Sequence, residues 1–164
     1  MMHLKTVLLS AATLLLAASG AQAAECRATS SVDSSAASVA ANTKAGGHVS
    51  IHVAGNPTEA GKSMFQSEAD FKSSFKKWKD HTGAKGPKPK TCGGSGGSQM
   101  DCVPADLVGI ATASTCDAVG GNGQCTAMTP FIPARVAFRY LNAKETGGKW
   151  ILNTAYPSKN DDCQ

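Results

Sequence analysis

Residues 134–157 read ARVAFRYLNAKETGGKWILNTAYP, two β-rich runs separated by NAKETGG. Gly147 and Gly148 supply the turn, so the stretch predicts a β-hairpin. Side chains alternate across a strand, which puts Val136, Phe138 and Tyr140 on one face of the first run. On the second run, Trp150, Leu152, Thr154 and Tyr156 are expected to share a face. Thr154 and Tyr156 then carry the line of Trp150 and Leu152 outward, as a hydroxyl pair at the edge of a core face.

Working upstream, residues 67–80 (SEADFKSSFKKWKD) predict a helix. Ser67 is its expected cap, with Asp70 three residues on as in a capping box, and Phe71, Phe75 and Trp78 recur at i, i+4 and i+7. Lys72, Lys76, Lys77 and Lys79 fall mostly off that stripe and form a basic, solvated face. Between helix and hairpin, residues 81–102 hold eight Gly or Pro residues and no hydrophobic period, the pattern of a surface loop. Residues 107–114 (LVGIATAS) are a short strand candidate, and residues 116–125 (CDAVGGNGQC) a loop closed by its own cysteines. The fold class expected is α+β, with helical segments packed on a small antiparallel sheet.

The N-terminus decides how the cysteines are read. Residues 1–23 have a short polar start, an apolar run from Val7 to Ala18 and an Ala21-Gln22-Ala23 ending, the pattern of a secretory signal peptide. The apolar run is too short for a membrane span, and Glu25 before Cys26 departs from the small residue that precedes a lipidated cysteine. The expected location is secreted or periplasmic. Loss of the leader removes Lys5 and takes the formal charge from +4 to +3, a mild basic excess that permits an anionic partner without demanding one. All six cysteines (Cys26, Cys92, Cys102, Cys116, Cys125 and Cys163) lie beyond the leader. An even count in an exported chain reads as disulfides that supplement a modest core. No C-x-x-C pair suggests a metal site. Connectivity is open; local order favours Cys92 with Cys102 and Cys116 with Cys125, which leaves Cys26 to meet Cys163 near the two termini. Residues 24–45 are Ser/Ala-rich and read as a flexible arm or a weak helix, leaving residues 46–164 as one domain.

Within that domain, residues 46–53 (GGHVSIHV) carry two of the four histidines. A zinc peptidase motif needs a glutamate after the first histidine, where this chain has Val49. His48 and His52 therefore read either as a two-ligand metal site lacking its third ligand, as ordinary packed histidines, or as acid/base groups. An imidazole suits proton transfer near neutral pH. Lys62, Arg135, Arg139, Thr154 and Tyr156 are available to hold developing phosphate charge, a set that needs neither metal nor cofactor.

GGHVSIHV, then GKSMF, the Phe/Trp helix and a terminal WILNTAYP together resemble the ribonuclease A-like C-terminal toxin domains of bacterial contact-dependent growth inhibition systems. More distantly they are similar to the barnase, EndoU, colicin and RelE toxin group. The resemblance spans residues 46–157 and is strongest at its two ends. It implies a metal-independent endoribonuclease with no cofactor, His52 as the catalytic imidazole, Thr154 and Tyr156 as hydroxyl partners, Lys62 as the cation and His48 as a second acid or orienting group. RNA is the implied substrate and a proteinaceous inhibitor the implied partner. The chain departs from the family's L-T-A-Y strand by an inserted or substituted Asn153, and from its usual setting by its own leader and many cysteines. The alternative from another class is a non-enzymatic, disulfide-rich exported binding or inhibitor module, in which the histidines pack and the final strand is only structural.

Overall fold

The computed structural model describes residues 23–82, 86–93 and 97–164; apart from Ala23, the expected leader lies outside them. The chain is α+β. Its elements run α1 (Ser30–Ser35), α2 (Val39–Lys44), β1 (Ser63–Met64), α3 (Glu68–Asp80), β2 (Gly97–Pro104), β3 (Ala113–Val119), β4 (Cys125–Phe131), β5 (Arg135–Asn142) and β6 (Trp150–Ser158). Two three-stranded antiparallel sheets result, one ordered β1-β3-β4 and the other β2-β5-β6.

The C-terminal hairpin is β5 and β6, and Gly147 and Gly148 take the left-handed conformation its turn requires (φ 65° and 72°). Its alternation, however, is interrupted. Tyr140 pairs with Leu152 and Arg139 with Thr154, so Asn153 is an extra residue on β6. Such a bulge exchanges the faces of everything beyond it. Trp150 and Leu152 stay on the core side, but Ala155 continues their line, opposite Phe138. Thr154 and Tyr156 turn to the other face, which they share with Arg139. The expectation that all four residues line up fails at Asn153 for this reason.

Helix α3 forms as its spacing predicts. Ser67 Oγ accepts from the Asp70 backbone N–H, which satisfies one of the free donors of the first turn. Phe71, Phe75 and Trp78 are buried, each worth about 1.5–3 kcal/mol of apolar burial. Phe75 packs edge-on against Phe138 of β5 with ring centroids 5.6 Å apart, and Phe71 meets Phe65 at 6.0 Å. Lys72, Lys76 and Lys77 are exposed, whereas Lys79 is half-buried and pairs with Asp33 at 2.7 Å.

Of the two readings of residues 24–45, the helical one describes the structure: α1 and α2 are docked, with Val32 and Val39 in the core. They cover the outer edge of β6, whose unpaired backbone groups need partners. Ser35 Oγ accepts from Leu152 N–H at 2.8 Å, and Asn42 Nδ2 donates to Leu152 C=O at 2.6 Å. The next carbonyl along the edge, that of Asn153, accepts from the His48 backbone N–H.

All six cysteines are paired, as Cys26–Cys92, Cys102–Cys163 and Cys116–Cys125. Only the last matches the pairing favoured by local order. Cys102 does not meet Cys92 because it lies inside a strand: β2 begins at Gly97, within the segment expected to be loop. Cys92 instead joins Cys26, where Cys26 N–H bonds to Lys90 C=O and Cys92 N–H to Ala24 C=O. Two further boundaries shift. Residues 107–109 form a turn and the strand starts at Ala113, while the Cys116–Cys125 segment is the end of the β3-β4 hairpin. Among the described residues no helix is long and apolar enough to cross a membrane.

Candidate active site

The glycine pair before the histidines has two separate causes. Gly46 sits at φ +89°, a left-handed position open to glycine at no steric cost. At Gly47 the constraint is space, since a Cβ there would stand 2.4 Å from Asn42 Oδ1. Asn42 is committed: besides its bond to Leu152, its Oδ1 accepts from Val49 N–H at 2.9 Å. This close approach starts the 3₁₀ turn Val49–His52 against α2 and β6. At the turn's other end, His52 C=O accepts from Phe65 N–H at 2.8 Å, which lays the histidine along β1.

His52 is 8% exposed, and its Nδ1 lies 2.7 Å from Ser63 C=O. A carbonyl only accepts, so Nδ1 carries the proton and Nε2 is left as the basic nitrogen. Nε2 makes no hydrogen bond among the described residues. Burial pushes the pKa of His52 down to about 4 against the lift from the Ser63 carbonyl, with the Lys62 charge adding to the fall and Glu59 opposing it. The imidazole is therefore neutral at pH 7.

The bulge at Asn153 brings β6 to this histidine. The Tyr156 ring lies 5.0 Å from the His52 ring, centroid to centroid. Its hydroxyl accepts from Arg139 Nε at 3.2 Å and donates to Cys163 C=O at 2.8 Å. Thr154, two residues earlier on the same face, has a buried hydroxyl with no hydrogen-bond partner among the described residues, and the same holds for Asn153 Oδ1 beside it. Buried polar atoms without partners are uncommon and mark places where a ligand or water completes the set.

Lys62 is half-buried and its Nζ is 3.2 Å from Glu59 Oε2. It is near enough to His52 to act on the imidazole through its charge. His48 is exposed and reaches the site through its backbone bond to Asn153. Arg135 is drawn away, to Asp161 at 3.1 Å. Arg139 is the cation that the structure ties most directly to Tyr156. Its place follows from the bulge, which pairs it with Thr154 rather than with Asn153.

A second polar centre, absent from the sequence reading, lies in the core. Asp101 on β2 is 2% exposed and accepts from Trp78 Nε1 at 2.9 Å, Tyr140 Oη at 2.8 Å and Lys90 N–H at 2.8 Å. Burial raises its pKa from its ordinary value against these hydrogen bonds, and burial followed by the Asp101 charge raises that of Tyr140. Arg27 stacks on Trp78, 4.4 Å from the ring centroid, and donates to Trp78 C=O. The centre fixes α3 to the sheet. A lone aspartate in a Gly-rich stretch gave no sign of it. Comparisons of the chain with family models, with curated proteins and with solved structures find no match.

Proposed function

We propose that the protein is an exported, metal-independent endoribonuclease that cleaves RNA by attack of the ribose 2′-hydroxyl on the adjacent phosphorus. The observation that carries this reading is the bulge at Asn153. It turns Thr154 and Tyr156 to the face occupied by a buried, neutral His52 whose Nε2 is unengaged among the described residues. Packed structural histidines do not call for an unpartnered hydroxyl and an arginine-bound tyrosine on the same face. The three disulfides support an oxidising compartment, either outside the cell or in the periplasm.

In the proposed reaction His52 Nε2 removes the 2′-hydroxyl proton as the oxygen bonds to phosphorus. The Ser63 carbonyl, holding Nδ1–H, stabilises the imidazolium that forms. A bound phosphate raises the proton affinity of His52 from its low resting value, because an adjacent negative charge favours the charged ring. Negative charge growing on the non-bridging oxygens is met by the Thr154 hydroxyl, by Tyr156, by the guanidinium nitrogens of Arg139 that Tyr156 does not use, and by Lys62. Tyr156 contributes its proton by turning from the Cys163 carbonyl to the substrate. The bond from phosphorus to the 5′-oxygen then breaks, and the exposed His48 is the group assigned to protonate that oxygen. The products are a 2′,3′-cyclic phosphate and a 5′-hydroxyl.

The test is an RNA oligonucleotide in which one linkage after another carries a 2′-O-methyl group. Each blocked linkage is expected to survive while its neighbours are cut, and a matched DNA strand is expected to stay intact. Cutting at methylated linkages would refute attack by the 2′-oxygen. An inhibitor protein that covers this cationic face is the partner consistent with the proposal.

A further inference from the structure

Cys102 of β2, Ala137 of β5 and Tyr156 of β6 stand opposite one another in a row across the sheet. Directly paired residues share a face, and a spacing of about 4.8 Å between strands puts the two outer residues about 10 Å apart. Cys163 bridges them. Its sulfur is bonded to Cys102, with the Cα atoms 5.9 Å apart, and its carbonyl accepts from the Tyr156 hydroxyl at 2.8 Å. The segment after Ser158 therefore crosses the sheet above Ala137, which is fully buried although it stands outside the core cluster. The small side chain leaves the space that the crossing needs.

We propose that the Cys102–Cys163 disulfide is a positioning device for Tyr156: it holds the Cys163 carbonyl on the tyrosine hydroxyl and so sets where that hydroxyl lies beside His52. This rests on the ribonuclease reading above. The tail also reaches β5 through Arg135 and Asp161, 3.1 Å apart, and β4 through Lys159 over the Phe131 ring. Both contacts depend on exposed side chains of the tail, which hold a segment weakly. Cys163 itself has a φ of 59°, and no other non-glycine among the described residues has a positive φ. A residue with a Cβ takes that left-handed conformation where its surroundings impose it. Once the disulfide is gone, Cys163 returns to ordinary backbone and its carbonyl leaves the tyrosine. The hydroxyl is then tied on one side only, by Arg139 Nε at 3.2 Å.

The experiment replaces both cysteines, Cys102→Ser with Cys163→Ser, and follows RNA cleavage together with the NMR signals of isotope-labelled tyrosine Cζ. The chain has two tyrosines. Tyr140, bonded to Asp101 in the core, reports on the fold, and Tyr156→Phe assigns the other signal. The Tyr156 signal is expected to shift while that of Tyr140 stays. With it, kcat is expected to fall about tenfold and KM to hold its wild-type value. In a Tyr156→Phe background, loss of the disulfide is expected to leave kcat unchanged, because both changes act through one hydroxyl. Cys26→Ser with Cys92→Ser, which also removes a disulfide, is expected to keep the wild-type kcat. Ala137→Leu retains the disulfide and crowds the crossing; it is expected to move the Tyr156 signal and lower kcat in the same way, a second route should the cysteine variant not fold. An unmoved Tyr156 signal, or a loss of kcat as large without the tyrosine hydroxyl as with it, would overturn the positioning role and leave the ribonuclease reading standing. No cleavage by wild type would sink the ribonuclease reading and this role with it.

Discussion

Replacing His52 by glutamine should remove a specific part of the protein's sensitivity to acid. The folded pKa of about 4 lies below the ordinary value of 6.5 that the unfolded chain regains. As pH falls from 6.5 toward 4, the unfolded state takes up a proton that the folded state refuses, so stability is complete above that window and lost through it. Integrating between the two values gives a loss of about 2 kcal/mol at pH 5 and about 3 kcal/mol at pH 4. The cause is burial of a ring whose Nδ1 is held by Ser63, and glutamine preserves a donor for that carbonyl without titrating. Urea unfolding of wild type and His52→Gln at pH 7.5, 5 and 4 isolates the effect, because the carboxylates that titrate in the same range are common to both. The difference in stability between the two proteins should change by about 3 kcal/mol across the series in favour of the variant. A difference that stays constant with pH would show that the folded imidazole titrates normally, and the argument that it is a buried neutral base would fail.

Asp101→Ala strands the Trp78, Tyr140 and Lys90 donors and should cost at least about 3 kcal/mol in urea at pH 7; a loss below about 1 kcal/mol would contradict the bonding described. Gly47→Ala drives a methyl group into Asn42 and should cost about 2 kcal/mol through the bonds Asn42 makes to Leu152 and Val49. Its melting temperature is the readout, and a wild-type value would refute the close approach. Tyr156→Phe keeps the ring against His52 and removes the hydroxyl. Its kcat on RNA should fall about 10²-fold with the circular dichroism spectrum unchanged, and full activity would remove Tyr156 from the mechanism.

Residues whose roles follow from local periodicity were legible. Ser67, Phe71, Phe75 and Trp78 announce α3, and the two runs around Gly147 and Gly148 announce the hairpin, because caps, stripes and turns are set by near neighbours. The failures share a different physics. Asn153 is an ordinary polar residue in a strand pattern, and nothing local marks it as a bulge. What stabilises it is the backbone bond from His48, more than a hundred positions away in the chain. The faces of Thr154 and Tyr156 were therefore misassigned, although their spacing still placed both on one side. Cys92 and Cys102, ten positions apart, bond not to each other but to Cys26 and Cys163, 66 and 61 positions away, because the N-terminal segment runs beside residues 90–92 and β2 is a strand of the sheet. Ser/Ala-rich helices α1 and α2 gave little apolar signal. Their Ser35 and Asn42 side chains hold the β6 edge by hydrogen bonds that composition does not reveal.

The central claim is that His52 is the base of a metal-independent RNA-cleaving site. The direct measurement is to incubate the oxidised protein, beside a His52→Ala variant, with end-labelled RNA in EDTA and to identify the new ends. Wild type is expected to yield 2′,3′-cyclic phosphate termini, and His52→Ala to be slower by about 10²–10⁴-fold while remaining folded. Intact RNA with both proteins, or equal cleavage by both, would contradict the account.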